Sequence, residues 1–309
     1  MRRVYGIGET VCDIIFRGDQ PVAAVPGGSV FNGLITLGRL GIHGGFISEI
    51  GGDRMGDYVS RFLQENGISP DYLSRYEGTK TAISLAYLDE NNDAQYSFYK
   101  DYINVRIDFE MPPVQENDIV MFGSFYAINP VLRPKVMEFL KYAKAHGAIL
   151  YYDLNFRQNH AAEKEKFMET IHENFRMADI VRGSIDDFRV LYGMTDPKAI
   201  YNEKVKEFCR RFICTCGANG VCLFDGDMER CYQSERITPV STVGAGDNFN
   251  AGIVFGLMKC ELSGKDISSL TSVLWDSLVR CGIDLGTEAC RNIANYVSPE
   301  FAEKYLSAE

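Results

Sequence analysis

Two glycines and a carboxylate stand where an apolar helix should begin, in the run Ser241-Thr242-Val243-Gly244-Ala245-Gly246-Asp247-Asn248-Phe249-Asn250-Ala251-Gly252. The first N–H groups of a helix have no internal acceptor and carry the positive end of its macrodipole, so phosphate settles there readily. Glycines at 244 and 246 let the backbone approach a ligand with no Cβ in the way, and successive amides can cradle several oxygens. Asp247 then lies within reach of whatever meets the phosphate, as a base. Beyond it Phe249, Ile253 and Leu257 recur at helical spacing, with Gly252 and Gly256 giving a flat side for close packing. A glycine-rich turn into a core helix, with Asp247 serving only the first turn, fits the same residues.

Four more segments place polar groups where chemistry could occur. Gly8-Glu9-Thr10-Val11-Cys12-Asp13 sets two carboxylates four residues apart just after the first strand, acceptors suited to vicinal hydroxyls of a sugar. Pro26-Gly27-Gly28-Ser29-Val30-Phe31-Asn32 leads into a helix marked by Leu34, Leu37 and Leu40, with an amide that both donates and accepts. Tyr152-Asp153-Leu154-Asn155-Phe156-Arg157 ends a strand with polar groups at alternate positions, which a period of two puts on one side. Thr215-Cys216-Gly217-Ala218-Asn219-Gly220 follows a strand and turns tightly. Each has a plain alternative: solvated loop carboxylates, an ordinary glycine turn, or the polar end of a strand.

The elements that would position these groups alternate. Apolar β-rich runs at Gly45–Ile50, Asp118–Gly123, Ala148–Leu154 and Arg211–Thr215 are separated by helical stretches at Asp57–Asn66, Val131–His146 and Ala161–Met177. That alternation predicts βαβ units and a mostly parallel, doubly wound sheet with helices on both faces, which binds ligands at the carboxyl ends of its strands. Two stretches lack helices. Lys80–Arg106 predicts a hairpin of Thr81–Leu88 and Ala94–Tyr99 around Asp89-Glu90-Asn91-Asn92-Asp93; with Ile14–Val25 it forms a candidate lid. Its aromatics Tyr87, Tyr96, Phe98, Tyr99 and Tyr102 suit contact with a second subunit or an ordinary surface hairpin. No linker divides residues 1–309, so one α/β domain is expected.

Composition narrows the function. A net charge of −10 without a Lys/Arg stripe argues against nucleic acid as a partner, so an anionic ligand must be held by local donors. Nine cysteines and four histidines show no C-x-x-C pair or metal-ligand spacing. The start, Arg3-Val4-Tyr5-Gly6-Ile7-Gly8, enters a strand without a signal-peptide pattern, and no run approaches a membrane span. A reducing cytoplasm and no membrane are expected.

In this order and spacing the segments resemble the ribokinase-like sugar kinases, also called the phosphofructokinase-B family, from about Val4 to about Val297. Thr242-Val243-Gly244-Ala245-Gly246-Asp247 with Phe249 and Ala251-Gly252 is similar to the family's C-terminal signature; Gly27-Gly28, Asn32, Leu40-Gly41 and Gly51-Gly52-Asp53 with Gly56 match its N-terminal one. The resemblance implies an α/β body with a small β-sheet lid and ATP-dependent phosphorylation of a sugar hydroxyl. It makes Asp247 the base and gives the amides of Gly244, Ala245 and Gly246 to the transferred phosphoryl group. Glu9, Asp13, Gly28 and Asn32 fall on the sugar, with Arg157 near substrate or the phosphoryl path. Thr215, Gly217 and Gly220 match the nucleotide turn, and Mg²⁺ is implied with ATP.

The chain departs from that pattern twice. Where relatives commonly show Asn-x-x-Glu ordering magnesium and its waters, it reads Ser184-Ile185-Asp186-Asp187, leaving Asp187 to act through water and Ser184 to offer a hydroxyl near the nucleotide. Ser241 stands where relatives often carry an Asp that helps bind a monovalent cation, which weakens the case for potassium activation. Gly8-Glu9 and Asp153-x-Asn155-x-Arg157 look like the fructokinase and 2-keto-3-deoxygluconate kinase branch, and a fructokinase-like hexose kinase ranks first. A catalytically silent sugar-binding regulator is the non-enzyme alternative. A dinucleotide oxidoreductase fails, because Gly6-Ile7-Gly8 is followed by Val11 where the third glycine belongs.

Overall fold

Two strands at the centre of the molecule, β9 (Ile119–Gly123) and β10 (Ile149–Asp153) in chain order, are buried at every position. In β10, Ile149 and Tyr151 point into one core while Leu150 and Tyr152 point into the other, as a strand covered on both faces must. The computed structural model describes residues 2–90, 94–100 and 107–308. Before β9 come β1 (Val4–Ile7), β2 (Val11–Arg17), β3 (Gln20–Gly27), α1 (Ser29–Arg39), β4 (Gly44–Gly51), α2 (Arg54–Glu65), β5 (Ile68–Ser69), β6 (Leu73–Tyr76), β7 (Ile83–Leu88) and β8 (Ala94–Tyr99). After it α3 (Arg133–Ala145) leads to β10, then α4 (Met168–Met177), β11 (Ile180–Ser184), α5 (Ile185–Tyr192), α6 (Pro197–Ile200) and β12 (Arg211–Thr215). The hairpin β13 (Val221–Asp225) and β14 (Met228–Tyr232) precedes α7 (Ala245–Lys259), α8 (Gly264–Ile267), α9 (Ser272–Ala289) and α10 (Pro299–Ala308).

The main sheet runs β14-β13-β12-β11-β10-β9-β1-β4-β5, with β6 also on β4. All pairs are parallel except β12–β13 and β13–β14. Helices α1, α2, α7, α9 and α10 pack on one face and α3, α4 and α5 on the other, the doubly wound α/β arrangement expected. Chain order reverses at β1, so the carboxyl ends of β1, β4, β10, β11 and β12 open onto one crevice.

A second sheet, β3-β2-β7-β8, holds the two helix-free stretches. It joins β2 to β7 in parallel and closes each with its own antiparallel partner. Asp53 clamps its root: this N-cap of α2 accepts from Gly56 N–H at 2.9 Å and from the Thr81 hydroxyl at 2.7 Å. The second signature thus joins helix α2 to the strand that starts two residues later. Asn91, Asn92 and Asp93 of the expected turn, Tyr102, and the rest of 101–106 lie outside the described residues.

Two expectations change. The single helix over 161–177 splits: Gln158–Lys166 forms 3₁₀ turns with no buried side chain, and only from Met168 does an apolar stripe hold a true α-helix. The hairpin register also sets Cys222 opposite Cys231 in a disulfide, with Cα atoms 4.2 Å apart, a pair that spacing alone does not reveal. No helix of the described residues is long and apolar enough to cross a membrane.

Candidate active site

Gly244 caps α7 with φ +79°, a conformation that costs any residue bearing a Cβ, and a Cβ there would lie 2.3 Å from the Asn295 carbonyl oxygen. The chain can turn into the helix at this point only as glycine. Of the three amides expected to face an anion, that of Ala245 bends back to the Thr242 carbonyl at 3.3 Å, a long bond. Gly246 and Asp247 occupy the first turn, whose N–H groups have no acceptor within the helix.

Asp247 is 8 % exposed, and Asn32 Nδ2 donates to its Oδ2 at 2.7 Å. Burial pushes this carboxyl up to about 7, against the opposing pull of Asn32, Arg157 and Arg182; Asp153 adds to the rise. The group therefore exchanges a proton near neutral pH, which a surface aspartate does not. Asn32 comes from α1, which packs along α7, so two glycine-led helix starts meet in one hydrogen bond.

The other residues expected on the sugar are Gly28, Asp13, Glu9 and Arg157. Gly28 caps α1 with φ +130°, and a Cβ there would meet the Glu9 carbonyl oxygen at 2.1 Å, so the backbone of the β1–β2 loop rests against the helix start. Asp13, inside β2, accepts from the Ser84 hydroxyl of β7 and from Asn295 Nδ2 at 2.7 Å. Burial raises it to about 6, partly offset by those two donors and by Arg157. Glu9 forms an ion pair with Lys100 at the end of β8. Arg157 is exposed, and its charge lowers both Asp13 and Asp247.

Thr215, the start of the turn expected to hold a nucleotide, meets Arg182. This buried guanidinium donates to Asp153 at 2.9 Å and to the Thr215 hydroxyl at 2.6 Å, and a Cβ on Gly246 would lie 2.8 Å from its Nη2. Burial disfavours its charge, but Asp153 and Asp187 outweigh that and hold it protonated above the ordinary range. Asp153 accepts in turn from Asn250 at 2.9 Å, which accepts from the Tyr151 hydroxyl at 2.9 Å. Thr215 ends β12, and Gly217 (φ +56°) and Gly220 (φ +95°) bound the tight turn after it.

Ser184 and Asp187 are each other's partners in a capping box: the Ser184 N–H donates to Asp187 at 2.6 Å and the Asp187 N–H to the Ser184 hydroxyl at 3.2 Å. Burial raises Asp187 to about 6, with Arg182 pulling the other way. Among the described residues no three His, Cys, Asp or Glu side chains are grouped to hold a metal ion.

Direct contacts thus tie Asn32, Asp13, Gly244, Gly246, Asp247 and Thr215 together, Asp13 through Asn295 and Thr215 through Arg182, though one geometric argument from the sequence does not hold. Asp153, Asn155 and Arg157 do not share a face through strand alternation, because β10 ends at Asp153 and Asn155 has φ +36°. Arg182, Asn250, Tyr151, Ser84 and Asn295 were missed. Arg182 carries a readable signal, a charge inside an otherwise apolar strand. Asn295 carries none, since only the fold brings its segment to Asp13.

Residues 1–271 match the model of the pfkB family carbohydrate kinases. The fructokinase of Rhizobium leguminosarum bv. trifolii is 29% identical over 273 residues, covering 85% of this chain and 82% of that protein. The aminoimidazole riboside kinase of Salmonella typhimurium is 23% identical over 266 residues, 84% of this chain and 82% of that one. In solved structures, the fold is shared with the Vibrio cholerae fructokinase bound to fructose, ADP and calcium (TM-score 0.81, 20% identity, 99% of both chains). It is shared equally with the Salmonella enterica aminoimidazole riboside kinase (TM-score 0.82, 22% identity, 99% of this chain and 100% of that one). With a family model covering most of its length and kinases among its relatives, this chain belongs to the pfkB family of carbohydrate kinases.

Proposed function

We propose that the chain transfers the γ-phosphoryl group of ATP to a hydroxyl of a hexose, as a fructokinase-like enzyme. The observation that carries this reading is Asp247, buried, held by Asn32 and titrating near neutrality in the first turn of a helix capped by Gly244. The acceptor hydroxyl loses its proton to Asp247 as its oxygen bonds to the γ-phosphorus and ADP departs with the electron pair of the broken bond. The transition state is loose, so alignment and charge stabilisation by the Gly244–Gly246 turn matter more than basicity. Glu9, Asp13, Gly28, Asn32 and Arg157 hold the sugar, and Thr215, Gly217 and Gly220 hold the nucleotide. Phe98, opposite Ser84 on the inner side of the second sheet and half exposed, offers the ring an apolar cover.

Magnesium, when bound with ATP, neutralises charge on the β- and γ-phosphates. The donor set fits an ion that arrives coordinated by phosphate and water: one oxygen of Asp187 is taken by the Ser184 N–H, and the described residues form no protein cage around it. Ser241 is buried with its hydroxyl accepting from the Val243 N–H at 3.1 Å, so this reading assigns no activating monovalent cation.

A coupled ADP-release assay over fructose, other hexoses, 2-keto-3-deoxygluconate and aminoimidazole riboside tests the reading, with fructose expected to give the highest kcat/KM. Preference for the sugar acid would move the chain to the alternative branch, and sugar binding without ADP release would make it a regulator. Hydrogen exchange in the same samples tests the second sheet as a lid, with sugar slowing exchange in β7 and β8.

The cytoplasm, where ATP is supplied, is the proposed location. The outer face of the second sheet presents Tyr87 (stacked on Phe16) and Tyr99, 40% and 56% exposed, and is proposed to meet a second copy. Sedimentation over a concentration series is expected to show a dimer; a monomer throughout removes that contact.

A further inference from the structure

Sulfur atoms gather on one side of the main sheet beside the nucleotide turn. Cys214 stands opposite Cys222 across β12–β13, and Cys222 opposite Cys231 across β13–β14. Directly opposed residues project to the same face, and Cys216, just past the end of β12, packs against the same core as Cys214. Cys214 is buried in the α3–α5 core with Phe212 and Phe224, Cys216 and Cys222 are half-buried against it, and Cys231 is exposed on the edge strand. Cys222 and Cys231 are joined; Cys214 and Cys216 are thiols. The Cys216 thiol donates to the Cys214 carbonyl at 3.8 Å.

We propose that Cys222–Cys231 is a reversible thiol–disulfide site that sets the grip of the turn running from Thr215 to Gly220. Its position supplies the coupling. Gly220 lies where a Cβ would be 1.9 Å from the Tyr232 carbonyl oxygen, so the turn leans directly on β14 next to Cys231. The other end of the turn is closed by the Cys216 N–H donating to the Gly220 carbonyl at 2.8 Å. Among the described residues, β14 pairs only with β13 in the sheet. Elsewhere it is tied by side chains, Tyr232 and Arg230 to Asp276 and Glu229 to Lys198. Opening the disulfide removes the one covalent brace of the strand that supports the turn. Where disulfides form in a reducing compartment they are usually transient and redox-sensing.

The reductant is a small thiol or a protein dithiol. Its thiolate attacks Cys231 Sγ, the accessible sulfur; the Cys222–Cys231 bond breaks and Cys222 leaves as thiolate, taking up a proton. A second thiolate attacks the mixed disulfide, releasing Cys231 as a thiol and the reductant as its disulfide. Two electrons enter, and a disulfide of the same class reverses the sequence.

This inference rests on the nucleotide reading of residues 215–220, and its test separates the two. Thiol labelling of the denatured protein is expected to find seven reactive cysteines without reductant and nine with it, the difference mapping to Cys222 and Cys231. Reduction of the wild type is expected to speed hydrogen exchange over residues 216–220 and raise KM for ATP about fivefold or more, the scale of coupling between linked sites. KM for sugar and kcat stay unchanged. Cys231→Ser reproduces the reduced state and is insensitive to a disulfide reagent. Nine labelled thiols under mild oxidation, or equal exchange and equal KM in both redox forms, overturn the inference. Altered exchange with no ATP-dependent turnover in either form would instead sink the nucleotide reading.

Discussion

Replacing Asp247 by asparagine is expected to lower kcat by about a hundredfold or more, the scale of general-base catalysis, while sugar and ATP remain bound. The amide keeps the side chain's size, and its oxygen still accepts from Asn32 Nδ2, 2.7 Å from the native carboxylate. Only the capacity to take a proton is lost. The pH profile makes the assignment specific. Because burial raises this carboxyl to about 7, its basic form is lost as pH falls through that value. Wild-type kcat/KM should therefore drop about tenfold per pH unit on the acid side. The residual activity of Asp247→Asn should lack that limb. Near-normal turnover, or an unchanged acid limb in the variant, removes Asp247 from the role of base.

Arg182→Met is expected to cost about 3–5 kcal/mol of stability, the usual result of breaking a buried ion pair from one side. The guanidinium is buried with Asp153 and is the cation that Asp153, Asp187 and Asp247 share. Without it, buried Asp153 and Asp187 keep only neutral donors, Asp247 keeps Asn32 and the charge of Arg157, and Thr215 loses its partner at 2.6 Å. Urea unfolding should show a lower midpoint at an unchanged m-value. Adding Asp153→Asn should recover part of the loss, because the pair is then removed from both sides. Activity carries a second signature: Arg182 pulls the Asp247 carboxyl down, so the acid limb of the variant should move to higher pH. A loss below about 1 kcal/mol would put Arg182 in the class of dispensable surface pairs.

The readable part of the molecule is that governed by local rules. Strands buried on both faces leave unbroken apolar runs, as in β9 and β10, and the helix starts before Asn32 and Asp247 are marked by glycines with positive φ. Those signals placed the parallel sheet, the helix-free stretches and the turn from Gly244 into α7. Strand alternation failed at Asn155, where one left-handed residue turns the chain away from the face that a period of two predicts. The helix at 161–177 failed because its first part buries no side chain and so has no apolar stripe to hold it as an α-helix. The interior network could not be read at all: Tyr151, Asn250, Asp153, Arg182 and Thr215 are spread over a hundred positions and meet only through sheet order. The Cys222–Cys231 pair likewise depends on hairpin register.

Asn295 has no exposed surface; its side chain donates to Asp13 at 2.7 Å, and its carbonyl accepts from Asn248 at 2.8 Å while walling Gly244. It lies beyond residue 271, where the family model ends. A shortened gene ending at that boundary would encode every signature residue and still produce a defective enzyme, because the segment it discards is the keystone between the strand that carries Asp13 and the helix that carries Asp247.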